Sequence, residues 1–336
     1  MGAVAGAPPP RGGAPVRRTL GGLVAVLLGA TPALAQEEED VPFRRTTVPG
    51  RPLCLLWPVR DYVYHLDAAG SARTPGDTEV GAIEASFDTW RNLSKTCSDY
   101  AFRRGEDWSL PVKVGYDQEK PYNNYNIITF RETSCPDVVS EQDPCWDDDT
   151  CGNVYKCWDH GEGTIGLTTS TFSFRDGRVL DADIELNGSQ PGGSIGFLFT
   201  TVDSPVCEGT PSTDCVATDL QNTVTHEIGH VVGLDHTFVS GSTMEPTAPP
   251  GETRKRVIDS GSAAGFCSIY PRGMPPTQCV VRPGAGITTQ ADGRGTGCSA
   301  APGPLALGAV LAALALARRR KGRRPADADA TPGGQG

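Results

Sequence analysis

Histidine is scarce in this chain: five in 336 residues, beside 40 Asp and Glu, 30 Lys and Arg, three Met and five Trp. The formal net charge is −10, and no basic patch is interleaved with aromatic side chains. That absence excludes the electrostatic footprint of a nucleic-acid binder. Aromatics are sparse as well, at 7%. No internal repeat of fixed period is visible, which excludes a solenoid or propeller. No strictly apolar run reaches the roughly 20 residues of a full bilayer span, although the C-terminal one comes near the lower limit when counted from Ser299. The nearest approach is Leu305 to Ala317.

Cysteine, by contrast, is plentiful, at eleven. Its meaning depends on the compartment. Arg17 and Arg18 precede the apolar stretch "TLGGLVAVLLGATPALA", which ends in an A-x-A site and is followed by "QEEED". This layout predicts a secretory signal peptide over 1–35 and hence an exported chain in an oxidising environment. Ten cysteines lie between residues 54 and 279 and are expected to form five bridges. Cys207 with Cys215, and Cys267 with Cys279, are the plausible local pairs, but connectivity does not follow from sequence. Cys298 stands apart in "GTGCSAAPGP".

The rest divides simply. Residues 36–50 are an acidic, then Pro-rich lead-in, and 51–272 carry mixed periodicity. Residues 273–297 are a Gly/Pro/Thr-rich spacer, 298–324 an apolar and Arg-rich segment, and 325–336 a disordered tail. Within 51–272, "GAIEASFDTWRNLS" has helical spacing. "YNIITF" (125–130) and "GTIGLTTSTF" (163–172) read as strands. A "RDG" turn leads to "RVLDADIELN" (178–187), which alternates as a half-buried strand. The expectation is an α+β domain.

Three of the five histidines fall within "THEIGHVVGLDHT". The preceding "TDLQNTV" continues a helix with Leu220, Val224, Ile228 and Val231 on one face, capped by Thr218 or Asp219. On that helix His226 and His230 are four residues apart and project from one side. Gly233 accepts positive φ and lets the chain turn back, so His236 approaches from the return loop. Three imidazoles leave a fourth position open, the mark of a catalytic zinc site. Glu227 adjoins the first ligand and is placed to act on water as general base. A surface binding or adhesion module that retains a structural zinc site is the alternative from a different functional class.

"HEIGHVVGLDH" resembles the metzincin zinc motif, and "GSTMEP" supplies a downstream methionine, Met244, as in the matrixin branch. The resemblance implies a twisted mixed sheet packed on the zinc-binding helix, a Met-turn beneath the ligands and a C-terminal helix over 254–271. It implies a zinc-dependent endopeptidase acting on proteins or peptides. It also implies that the strand containing Thr164, Ile165, Gly166, Leu167 and Thr168 is an exposed sheet edge that holds substrate through main-chain hydrogen bonds; an interior strand of the same sheet is the alternative. The chain departs from the matrixin pattern at Thr237 and Glu245. Asp147, Asp148 and Asp149 carry carboxylates suited to calcium, although a solvated acidic loop is the ordinary reading. His65 and His160 read as ordinary surface or core histidines. Gly297-Cys298, the apolar run and "RRRKGRR" together resemble a MYXO-CTERM sorting tail. That implies processing by a myxosortase-type sorting protease, with attachment to the membrane at the cell surface or outer membrane or secretion after the tail is processed; a plain C-terminal anchor is the simpler alternative.

Overall fold

The computed structural model describes residues 42–279 and the backbone of 296–300. The signal peptide and the apolar C-terminal segment expected from sequence lie outside the described residues. Among the described residues, no helix is long and apolar enough to cross a membrane.

The principal strands are β1 (Asp61–Leu66), β2 (Ala101–Arg104), β3 (Asn126–Arg131), β4 (Thr164–Phe172), β5 (Val179–Asn187), β6 (Thr247–Ala248) and β7 (Thr296–Ala300). They form one mixed sheet in the order β6-β7-β4-β5-β3-β1-β2. β1, β2, β3 and β5 run parallel to one another, whereas β4 is antiparallel to β5. The three main helices are α1 (Thr78–Cys97), α2 (Leu220–Val231) and α3 (Ser260–Ile269). The result is an α+β, metzincin-like arrangement of a mixed sheet packed on helices.

The helical spacing in α1 has a clear purpose. Ile83, Phe87 and Trp90 are buried on one face, and the Trp90 indole donates to the Thr225 carbonyl at 3.0 Å. Ser86 reaches the Gln221 carbonyl at 3.1 Å. α1 therefore fixes α2 by hydrogen bonds as well as by area. The face expected on α2, with Leu220, Val224, Ile228 and Val231, is fully buried, but so is almost every other residue of the helix. A helix enclosed on all sides is a core element and needs no polar face. Asp219 caps it, accepting from the Asn222 amide at 2.7 Å, as one of the two candidates from sequence.

The C-terminal helix is shorter than 254–271: Arg254–Arg256 form a 3-10 turn and only Ser260–Ile269 are α-helical. Asp259, whose carboxylate accepts from the Gly261 amide at 2.8 Å, caps the helix and sets its start. Packing also extends past both ends of 51–272. Val48 is fully buried, Arg44–Arg45 pair with Leu234–Asp235, and Cys279 is bridged to Cys54.

Ten cysteines do form five bridges: Cys54–Cys279, Cys97–Cys267, Cys135–Cys157, Cys145–Cys151 and Cys207–Cys215. The local pair Cys207–Cys215 holds. Cys267 with Cys279 does not: Cys267 faces α1, and Cys279 reaches back to the start of the domain. Two bridges close on each other in the segment 135–157, with Val139 and Trp146, as a second small core.

One expectation is overturned. The strand over 164–170 is not a free sheet edge. β5 flanks it on one side and β7 on the other, with Thr296 opposite Thr168, Gly297 opposite Leu167 and Cys298 opposite Gly166. The physical reason is the one that made the edge attractive for substrate. Unpaired main-chain donors and acceptors accept any extended chain, and here they meet a distant segment of the same chain.

Candidate metal centre and active site

Each histidine is aimed by a different device. α2 places His226 and His230 one turn apart. Gly233, at φ +90, then reverses the chain; a Cβ there would stand 2.7 Å from the Leu55 carbonyl oxygen, so no other residue fits without strain. Leu234 and Asp235 pair with Arg44–Arg45, and His236 follows directly. Tyr270 locks the end of α2: its hydroxyl lies 3.2 Å from the Val232 carbonyl and accepts from the Trp57 amide at 3.1 Å.

The outcome is a triangle. The Nε2 atoms of His226, His230 and His236 lie 3.2 Å from one another. His226 Nδ1 is 2.6 Å from the Thr243 carbonyl and His230 Nδ1 is 2.9 Å from the Leu234 carbonyl. A carbonyl only accepts, so each Nδ1 carries the proton and each Nε2 presents a lone pair. Lone pairs meeting at this spacing repel unless a cation lies between them. Nitrogens about 2.0–2.1 Å from a tetrahedral zinc are roughly 3.3 Å apart, so the donors fit that ion. Burial favours the neutral ligand form in all three. It pushes the His230 imidazole down to about 4, and the His236 imidazole to about 3 with help from His230; His226 is held well below the usual range. Among the described residues these three are the group of metal-ligating side chains brought this close.

Met244 is fully buried beneath the ligands. A Cβ on Gly229 would fall 2.2 Å from its sulfur, so α2 rests directly on the methionine. The Met-turn is tied in turn to α3. The Asp259 carboxylate accepts from the Thr243 amide at 2.8 Å and the Ser242 hydroxyl at 3.1 Å. Burial alone would raise the Asp259 carboxyl, but hydrogen bonds from Ser262 and Thr243 outweigh it and hold the group below its ordinary value. Asp259 thus positions the carbonyl that orients His226. The reading of the sequence missed it, because an Asp before a short apolar run signals only a helix cap. The two departures from the matrixin pattern are also accommodated: Thr237 donates its amide to the Met244 carbonyl at 3.0 Å, and Glu245 accepts from Arg254 at 2.8 Å.

Glu227 is buried, and its Oε2 accepts from the Thr168 hydroxyl at 2.7 Å. Gly166 lies alongside; a Cβ there would come 3.2 Å from Glu227 Oε1. β4 therefore runs past Glu227 at the level of residues 166–168. Ile165 and Leu167 point into buried surroundings, and Thr164 is half-buried at the strand's start. His160 lies elsewhere, 3.3 Å from both Glu185 and Asp159, and His65 is held by the Glu106 carbonyl at 2.7 Å. Asp147, Asp148 and Asp149 are exposed or nearly so, and no cation-holding group among the described residues includes them.

Two histidines on a buried helix, a third on the return loop after glycine, a methionine floor and a mixed sheet alongside define the metzincin class of fold and site. Within that class the chain belongs to the matrixin family, whose model matches residues 57–271. It is similar to Metalloendoproteinase 4-MMP of Arabidopsis thaliana, 29% identical over 118 residues, covering 33% of this chain and 29% of that protein. It is similar also to Metalloendoproteinase 2-MMP of the same plant, 32% identical over 118 residues, covering 33% of this chain and 27% of that protein. The matched stretch thus spans less than a third of these relatives' length.

Proposed function

We propose that the chain is an exported zinc-dependent endopeptidase with Glu227 as general base. The observation that carries this reading is the placement of a hydroxyl-anchored carboxylate, Glu227, one residue from His226 in a three-nitrogen site. A structural zinc has no use for a fourth, open position or for a carboxylate beside it.

His226, His230 and His236 would hold the ion. Bound there, zinc supplies Lewis-acid chemistry, bringing the pKa of water toward about 7 and polarising a carbonyl. The chain's own residues supply the rest. Glu227 takes the proton of the attacking water and returns it to the leaving amine. Thr168 keeps the carboxylate from rotating away. Thr243 and Leu234 carbonyls keep two imidazoles in the ligating tautomer. Substrate is an extended peptide that would take the place of residues 296–300 along β4, held through main-chain hydrogen bonds.

Five disulfides and the signal-like N-terminus support export. Gly297-Cys298, with the apolar and Arg-rich residues after it, supports processing by a sorting protease and retention at the cell surface. Calcium gains no support from Asp147, Asp148 and Asp149.

The test is Glu227→Gln against a denatured protein substrate. The variant should keep its zinc and lose nearly all cleavage, and the unsubstituted chain should lose cleavage to a chelator and regain it with zinc. A chain that binds zinc but cleaves nothing would instead support a binding module with a structural metal.

A further inference from the structure

The outer face of β4 is already taken by the chain's own tail segment. Thr296–Ala300 runs antiparallel to β4 and parallel to Thr247–Ala248, so it is paired on both sides. It also lies against α2. Cys298 stands opposite Gly166, the residue whose missing side chain leaves room beside Glu227. The register slips between Cys298 and Ser299, level with that point; such bulges gather next to active sites. The five residues, Thr-Gly-Cys-Ser-Ala, are all small. A strand recognised through its backbone needs no more than that.

We infer that the groove between β4 and Thr247–Ala248 is a strand-accepting site whose resident occupant is residues 296–300, and that substrate binds only when this segment leaves. The inference deepens the endopeptidase reading and takes its substrate groove from it. The occupant is tethered: sixteen residues, 280–295, separate it from Cys279, which the Cys54 bridge fastens to the domain. Sixteen residues reach at most about 53–58 Å, so the segment stays near the groove. Tethers of this kind give effective concentrations in the millimolar range. A segment of modest intrinsic affinity therefore holds the groove against a free peptide at micromolar concentration. The same five residues include the Gly297-Cys298 pair, so an enzyme that cuts the tail there would open the groove.

The test uses the full chain carrying Glu227→Gln, loaded with zinc, so that no self-cleavage intervenes. Three forms are compared: this chain, the same with Gly297→Pro and Ser299→Pro, and the same with forty Gly/Ser residues inserted after Gly284. Hydrogen exchange is read at Thr164 to Thr168. The probe is a labelled synthetic peptide of residues 294–302, followed by anisotropy. The proline form should exchange at least tenfold faster across that strand and bind the peptide at least tenfold more tightly. The long-tether form, which changes no contact residue, should exchange about sixfold faster, since effective concentration falls roughly as the −3/2 power of tether length. Zinc content and melting temperature equal in all three forms establish that the fold is intact. Equal exchange and equal peptide affinity in the three forms would overturn the inference. Protection that fades on dilution would also overturn it, by making the occupant a second copy's tail. None of these readouts is proteolysis. If these readouts come out as expected and the proline form with Glu227 restored still cleaves nothing, the endopeptidase reading sinks and the groove's occupant stays in place.

Discussion

The Thr168 hydroxyl lies 2.7 Å from Glu227 Oε2 and 3.1 Å from the Glu227 backbone carbonyl. One side chain on the sheet thus anchors both the carboxylate and the backbone of the residue assigned as general base. The contact joins β4 to α2 through two residues 59 apart in sequence.

Thr168→Val keeps the shape and removes the hydroxyl. It should lower kcat roughly tenfold while zinc content stays at one per chain, because the base loses its anchor and the ligands do not. The stability cost is about 1–2 kcal/mol for a lost buried hydrogen bond. Cleavage at the unsubstituted rate would remove Thr168 from the site's workings.

His236→Ala should weaken zinc binding roughly a hundredfold or more, measured by competition with a chromophoric chelator. Two imidazoles on one helix face cannot complete a tetrahedral site. Unchanged affinity would show that His236 is no ligand.

Gly233→Ala probes the turn that delivers His236. The residue sits at φ +90 with the Leu55 carbonyl close by. A side chain there is strained at a cost on the order of 1–3 kcal/mol. The variant should melt lower and bind zinc more weakly, since relief of the strain moves the return loop. A variant with unaltered melting temperature and zinc affinity would rule out the strained-turn account.

Thiol titration of the denatured, unreduced chain should find at most one free thiol, on Cys298. Replacing Cys97 and Cys267 together with Ala should cost about 2–5 kcal/mol, because their bridge ties α1 to α3 across 170 residues. Several free thiols would dismantle the bridge framework.

Asp181 and Asp183 are buried two residues apart on β5. Asp183 accepts amide hydrogens from Gly115 at 2.7 Å and Ile127 at 2.8 Å. Burial pushes the Asp181 carboxyl up to about 6 and holds the Asp183 carboxyl well above its ordinary value, with Asp181 adding to the latter. Both folded-state values lie above the unfolded one, so the fold holds protons more tightly than the unfolded chain. The pair's contribution is therefore most favourable below about pH 4 and is lost as pH rises through about 6. Asp181→Asn should stabilise the domain at pH 7.5 by on the order of 1–3 kcal/mol and change little at pH 4. Equal shifts in melting temperature at both pH values would contradict the coupled pair.

Much of the site was legible in the sequence because its devices are local. Histidines four apart on a helix share a face by helical geometry alone, and a glycine three residues later can turn the chain with no tertiary help. The strands at 125–130, 163–172 and 178–187 carried their own period and turn signals. The parallel strands at 61–66 and 101–104 went unread, for "DYVYHL" and "AFRR" are too short and too mixed to declare a strand until neighbours pair with them. Asp259, Tyr270 and Thr168 are ordinary residues in sequence. Each acquires its role by meeting α2 or the Met-turn from a distant element. Bridges Cys54–Cys279 and Cys97–Cys267 likewise depend on which ends the fold brings together. The free edge expected at Thr164–Ser170 marks the clearest limit. Sequence determined that this strand presents backbone groups able to take up an extended chain. Only the tertiary structure decided that residues 296–300 are the chain that takes them, because main-chain hydrogen bonds carry no sequence address and go to whichever segment the fold holds nearby.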